Sequence, residues 1–283
     1  MKIVECPRDA IQGIKNFIPT KLKAEYINEL LKAGFDTIDF GSFVSPKMIP
    51  QMSDTGEVLQ LLDLNESKSQ LLAIVANERG AEEALAHPEI NYLGYPFSIS
   101  ETFQIRNTGA GIQESLERVK TIQQLCLKHE RNLVIYISMA FGNPYNEKWD
   151  AEIALKWVDE LSKLGIKTFS LSDTIGVATP QTISYILQNL IPSHPYLEFG
   201  AHFHTYPENW KEKIEAAWEA GCHRFDGAIS GYGGCPMAKD ELVGNMATEN
   251  LVKFFTEKGI KTIDDKHIDR LRYSFQKLIS GLP

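Results

Sequence analysis

The chain is poor in cysteine. Its 283 residues contain four, Cys6, Cys126, Cys222 and Cys235. No two form a C-x-x-C pair, so neither a disulfide framework nor a zinc ribbon is expected. No apolar run approaches the roughly 18 residues that a membrane-crossing helix needs. The start, MKIVECPRDA, has no apolar stretch of signal-peptide length and no Arg/Ser-rich leader. The end, ISGLP, carries no lipidation or peroxisomal signature. A cytoplasmic protein is expected. Excess positive charge is missing too: 29 Lys and Arg face 37 Asp and Glu, a formal charge of −8. That balance argues against non-specific nucleic-acid binding and against an anionic membrane surface. Gly/Pro/Ser-rich linkers and low-complexity tracts are also absent, so residues 1–283 read as one domain.

What is present is an alternation. At 43% hydrophobic and 10% aromatic residues, the chain can bury a large core. Eight short β-rich runs are expected at Lys2–Glu5, Thr37–Phe43, Leu71–Val75, Tyr92–Phe97, Asn132–Ile137, Thr168–Leu171, Leu197–Ala201 and Arg224–Ile229. Between them lie stretches with apolar residues three and four apart, expected as helices: Thr20–Ala33, Asp54–Leu62, Glu78–Ala86, Ile112–Lys128, Glu147–Lys163, Pro180–Leu190, Asn209–Ala220 and Ala247–Glu257. Thr179-Pro180 reads as a helix cap before a first-turn proline. Gly34, Gly165, Gly221 and Gly259 suit left-handed helix ends. Strand-then-helix repeated eight times means parallel strands with helical crossovers, and roughly 32 residues per unit suits a TIM (β/α)8 barrel of the α/β class. The alternative is an open doubly wound sheet. Its dinucleotide fingerprint should follow the first strand, where CPRDA is not G-x-G-x-x-G.

A barrel places its chemistry at the C-terminal ends of the strands, and the unusual polar residues fall there. Arg8 and Asp9 follow the first run, Asp39 lies within the second, and Asp173 follows the sixth. His202 and His204 end the seventh. A glycine-rich loop with Cys235 and Asn245 follows the eighth. Two histidines two apart on a strand point to the same side. Imidazole is a common ligand for divalent metals, although core histidines satisfied by hydrogen bonds look the same in sequence. Asp9 and Asn245 could complete a mixed N/O set, which favours Mg²⁺ or Mn²⁺ without excluding Zn²⁺. Arg8 beside Asp9 is either a solvated ion pair or a division of labour. In the latter, Asp9 holds metal or takes a proton and Arg8 stabilises a developing oxyanion. Cys235, in Gly233-Gly234-Cys235-Pro236, is placed for acid/base or nucleophilic work, unlike the other cysteines, which read as buried thiols. Asp39 and Asp173 read either as orienting partners or as structural carboxylates. Lys15 and Lys47, in the loops after the first and second runs, are solvated lysines or contacts for a phosphate-bearing substrate.

Taken together, these residues resemble the 3-hydroxy-3-methylglutaryl-CoA lyase family along essentially the whole chain. The motifs are VECPRDAIQGIK, SFVSPKMIPQMSD, SETFQIRN, GNPY, SLSDTIGVATP, HFH, GGCPMAK and GNMATE. The resemblance implies that Asp9, His202, His204 and Asn245 hold Mg²⁺ or Mn²⁺, and that Arg8 stabilises the enolate of departing acetyl-CoA. It implies that Cys235 is a mobile-loop thiol joining in proton transfer. Asp39 stands where the family commonly has Glu. Asp173 and Gln12 match a carboxylate and a glutamine of family motifs. The implied partner is an acyl-CoA, cleaved by a retro-Claisen reaction. A homodimer is the expected assembly on frequency alone.

Four departures stand out. PRDG is PRDA here, so Ala10 would cost something if that position needs positive φ or close substrate approach. The histidine pair runs into Thr205-Tyr206-Pro207-Glu208-Asn209-Trp210, bulkier than the family pattern and without its acid. G-C-P-Y has become Gly142-Asn143-Pro144-Tyr145. DELVGN replaces a small-residue segment. The metal set is intact, so the readings weighed against the leading one are a metal-dependent lyase or aldolase for another 3-hydroxyacyl-CoA or hydroxy acid, and a catalytically silent barrel.

Overall fold

A computed structural model of the chain describes residues 1–234 and 243–280. Its elements run β1 (Lys2–Glu5), α1 (Pro7–Ile11), α2 (Thr20–Ala33), β2 (Thr37–Ser42), α3 (Thr55–Gln60), β3 (Gln70–Ile74), α4 (Glu78–Leu85), β4 (Ile90–Ser98), α5 (Glu101–Thr108) and α6 (Ile112–Lys128). They continue with β5 (Asn132–Ser138), α7 (Ala151–Ser162), β6 (Thr168–Asp173), α8 (Pro180–Ser193), β7 (Glu198–Phe203), α9 (Trp210–Glu219), β8 (Arg224–Gly227), α10 (Thr248–Glu257) and α11 (Asp265–Ser280). The eight strands close in sequence order, with β1 parallel to β8. This is the (β/α)8 barrel the alternation predicts.

Side-chain alternation along each strand divides the protein into two cores. Phe225 of β8 packs on Phe255 of α10 at 5.2 Å between ring centroids, and Phe169 of β6 stacks on Phe199 of β7 at 6.1 Å. These residues belong to the large cluster between strands and helices, with Ile135 and Leu171. Their strand neighbours Asp226, Arg224, Ser170, Gly200 and His202 therefore face the barrel interior. Opposite them, Leu72, Ile74, Val134 and Tyr136 form a separate apolar cluster. One wall of the interior is thus apolar and the other carries charge.

The expected elements are all found, with shifted ends. β7 begins at Glu198 and continues through His202 to Phe203. α7 starts at Ala151 rather than Glu147, because Asp150 caps it by accepting from Ile153 N at 3.0 Å. Glu147 instead accepts from Thr102 N at 2.9 Å and Thr102 Oγ1 at 2.5 Å. Thr179 forms a capping box with Thr182. All four predicted helix-end glycines are left-handed, with φ of 87°, 84°, 92° and 72° for Gly34, Gly165, Gly221 and Gly259.

Three helices have no counterpart in the periodicity reading: α1, α5 and α11. The first two are too short to show a period. The third covers α2, through Tyr26–Phe275 ring contact at 5.5 Å and an Arg270–Glu29 ion pair at 2.5 Å.

Candidate active site

Turn α1 positions the first two functional groups. Pro7 fits its first helical position, where the missing N–H costs nothing. The turn sets Arg8 and Asp9 over the end of β2. Both are buried, at 8% and 7% exposure, and Asp39 is fully enclosed. Arg8 Nη2 lies 2.5 Å from Asp39 Oδ2, and Nε lies 3.2 and 3.1 Å from the two carboxylate oxygens. Nη1 donates to Asp9 Oδ1 at 2.9 Å and to Gln12 Oε1 at 3.0 Å. Gln12 Nε2 donates to the same Asp9 oxygen at 2.7 Å. The guanidinium is therefore clamped between two carboxylates, and the solvated-pair reading of Arg8 and Asp9 does not hold.

Ala10 is helical and buried. No positive φ is required there, so the alanine carries no conformational penalty. The glycine that does matter nearby is Gly233, with φ +100°. A Cβ on it would stand 2.6 Å from Asn245 Nδ2, 2.7 Å from Asp9 O and 2.9 Å from Ala10 Cα.

β7 and the segment after β8 bring the remaining groups. His204 and Asn245 form an antiparallel bridge, reinforced by Met246 N donating to Phe203 O at 2.8 Å and Thr205 N to Gly244 O at 2.9 Å. Asn245 Nδ2 donates to Asp9 Oδ2 at 2.7 Å and to Tyr232 O at 2.8 Å. His202 and His204 rings lie 5.5 Å apart. The bulky segment after His204 closes as a turn, with Asn209 Oδ1 accepting from Tyr206 N at 2.9 Å.

These residues fit a divalent cation. Ligand atoms of Asp9, His202 and His204 lie within 4.8 Å of one another. Among the described residues His204 Nδ1 is buried without a hydrogen-bond partner, an orphan that a buried imidazole ordinarily does not tolerate. Burial, and then the neighbouring His202, push the His204 ring down to about 4, so it is neutral and its lone pair is available. Burial alone would raise Asp9, but Arg8 and the two histidines outweigh it and hold its carboxyl below the usual range. Asp39 goes the other way: burial, only partly offset by Arg8, lifts it to about 6.

The expected residues do not all converge. Asp173 ends β6 but turns away from the cavity. Its Oδ2 takes Lys213 Nζ at 2.6 Å and its Oδ1 takes Ala178 N at 3.0 Å. Lys213, completely buried, also donates to Gly176 O and His204 O at 3.0 Å each. Through these contacts Asp173 ties the ends of β6 and β7 and reaches the backbone of His204 by way of Lys213. Lys15 and Lys47 are exposed and do not line the cavity described below. Cys235 lies outside the described residues.

The site opens into a cavity of about 460 Å³. Arg8, Asp9, Gln12, His202 and His204 form its floor, and Met48, Ile49, Phe103 and Arg106 are among its walls. The sequence reading passed over Arg106 and the Asp226 carboxylate under His202. Arg106 lies on a helix too short to predict, its guanidinium 5.0 Å above the Tyr145 ring. Asp226 had a usable signal, a carboxylate two residues after Arg224 within the short β8 run.

The chain matches the HMGL-like family over residues 2–272. It is 34% identical over 256 residues to hydroxymethylglutaryl-CoA lyase YngG of Bacillus subtilis, spanning 90% of this chain and 85% of that one. It is 34% identical over 266 residues to the mitochondrial hydroxymethylglutaryl-CoA lyase of Rattus norvegicus, spanning 93% of this chain and 80% of that one. Among solved structures, an HMG-CoA lyase from Acinetobacter baumannii, in complex with coenzyme A and 3-methylmalate, superimposes with a TM-score of 0.91. It is 30% identical and covers 99% of this chain and 91% of that one.

Proposed function

The chain belongs to the HMGL-like family, and from that premise we propose that it cleaves 3-hydroxy-3-methylglutaryl-CoA to acetyl-CoA and acetoacetate. The observation that carries the reading is the juxtaposition of a clamped, buried arginine with a buried Asp–His–His group on one cavity floor. Asp9, His202, His204 and Asn245 are the residues that would hold Mg²⁺ or Mn²⁺. When bound, such a cation acidifies the substrate's tertiary hydroxyl and neutralises charge on the oxygens around it.

The bond that breaks joins the hydroxyl-bearing carbon to the carbon α to the thioester. The hydroxyl passes its proton to a base on the cavity floor, a role we assign to Asp9, its oxygen becomes the ketone of acetoacetate, and the electron pair of the broken bond passes to the thioester enolate. Arg8 is the group for that enolate oxygen. Asp39, Asp9 and Gln12 hold it in place before substrate arrives, so no reorganisation is needed as charge develops. Asn245 anchors Asp9 from the other side. The enolate carbon then takes a proton to give acetyl-CoA, and we assign that delivery to Cys235. Apolar walls at Met48, Ile49 and Phe103 keep water from the carbanion equivalent. Lys15 and Lys47, exposed and outside the cavity lining, are assigned to the anionic end of the acyl-CoA.

The competing reading, a lyase for another 3-hydroxyacyl-CoA, is separated by substrate profiling. Metal-replete protein is offered a panel of 3-hydroxyacyl-CoAs and free hydroxy acids. The highest kcat/KM on 3-hydroxy-3-methylglutaryl-CoA supports the assignment. A preference for another member by tenfold or more overturns it.

A further inference from the structure

Asp226 is a buried carboxylate that the mechanism above leaves without a task. It sits on β8, where the strand register sets it directly beside His202 of β7. Its side chain is fully enclosed, and its Oδ2 lies 3.1 Å from His202 Nδ1. Ser170 Oγ, also fully buried, donates to the same oxygen at 2.9 Å. Oδ1 has no partner among the described residues. A charge inside a barrel is costly unless something compensates. One compensation is Arg224, which faces the same interior two residues earlier.

The contact with His202 has a definite chemical consequence. Asp226 Oδ2 already accepts from Ser170 Oγ and faces His202 Nδ1 as an acceptor, an arrangement completed by a hydrogen on Nδ1. In the neutral ring the lone pair is then on Nε2. The ring is further held by an edge contact with Tyr136, 5.7 Å between centroids at 87°. Cys6, the remaining member of this cluster, donates weakly to Val4 O at 3.9 Å and so does not compete for the ring nitrogen.

We propose that Asp226 is the positioning residue of the metal site. It fixes the Nδ1–H tautomer and the ring orientation of His202, and so presents Nε2 toward Asp9 and His204. The inference rests on the reading of Asp9, His202 and His204 as metal ligands. Outer carboxylates of this kind typically change metal affinity by about ten- to a hundredfold when removed.

The test measures Mn²⁺ binding by electron paramagnetic resonance, with no substrate present, for wild type, Asp226→Asn, Asp226→Ala and Ser170→Ala. Beside it, ¹⁵N NMR of the metal-free protein reads the His202 tautomer. Expected are an Nδ1–H ring in wild type, and Mn²⁺ binding weakened about tenfold or more in both Asp226 variants. Ser170→Ala should keep the tautomer and lose less affinity. Unchanged Mn²⁺ affinity in the Asp226 variants overturns the proposal, as does an Nε2–H ring in wild type. The wild-type NMR result stands even where a variant fails to fold. If wild type itself binds no Mn²⁺, the metal-site reading falls and this inference with it. If wild type binds and the variants bind equally, only the role of Asp226 falls.

Discussion

Arg8 and Asp39 are joined by a forked ion pair, with Nη2 at 2.5 Å and Nε at 3.1 Å from a single carboxylate oxygen, buried at the mouth of the barrel. The fork orients the guanidinium, which a lysine ammonium could not reproduce.

Arg8→Gln should therefore lower kcat by about a hundred- to a thousandfold, the range for losing one preorganised oxyanion donor. Mn²⁺ binding should persist, because the ligand set is untouched. Arg8→Lys should recover only a small part of the rate. Steady-state kinetics with parallel Mn²⁺ titration check this. A large loss of metal binding in Arg8→Gln would assign Arg8 to the metal site instead.

Lys213 and Asp173 form a completely buried pair, at 0% and 1% side-chain exposure. Removing one partner of such a pair strands the other charge, at about 3–5 kcal/mol. Lys213→Met should cost that much in urea denaturation. The double variant Lys213→Met/Asp173→Leu should recover most of the loss. A double variant no more stable than the single one would show that the hydrogen bonds to Gly176 O and His204 O, rather than the charge pairing, carry the effect.

Glu5 of β1 is fully buried, accepting from Ile229 N at 2.8 Å and paired with Thr248 Oγ1 at 2.5 Å. Burial dominates over these bonds and pushes its carboxyl from 4.5 up to about 8. The folded state thus holds a proton that the unfolded chain releases. Stability from this group is complete below pH 4.5 and is lost as pH rises toward 8. Glu5→Gln keeps both hydrogen bonds and has no such dependence. Its stability relative to wild type should grow by up to about 1.4 kcal/mol per pH unit across that window. Denaturation midpoints at pH 5 and pH 8 that shift equally in both proteins would contradict it.

Lys15 and Lys47 are exposed and outside the cavity. Their alanine variants should raise KM for acyl-CoA severalfold with little change in kcat, and the effect should shrink at high salt, where exposed charges are screened. A loss confined to kcat would place them in the chemistry.

Much of this architecture was legible in the residues. Helical capping at Thr179-Pro180 and the left-handed glycines are local, and local signals survive folding unchanged. The H-x-H pair and Arg8-Asp9 could be placed at the mouth because the strand period and barrel topology fix where strand ends lie. What was not legible depends on partners far apart in the chain. The partner of Asp173 is Lys213, 40 positions later in the chain. Asp226 matters only because β8 closes beside β7. Whether Ala10 needs positive φ was not legible either, because sequence does not reveal that the position is helical; a tight backbone approach is at Gly233.

The central claim is metal-dependent carbon–carbon cleavage at the floor bearing Arg8, Asp9, His202 and His204. The most direct measurement is acetoacetate release from 3-hydroxy-3-methylglutaryl-CoA by the purified protein, first treated with EDTA and then resupplied with Mg²⁺ or Mn²⁺, with His202→Ala run alongside. The account predicts turnover that EDTA abolishes, that the added cation restores, and that His202→Ala lacks in every condition. Turnover unaffected by EDTA, or no acetoacetate from metal-replete wild type, would contradict it.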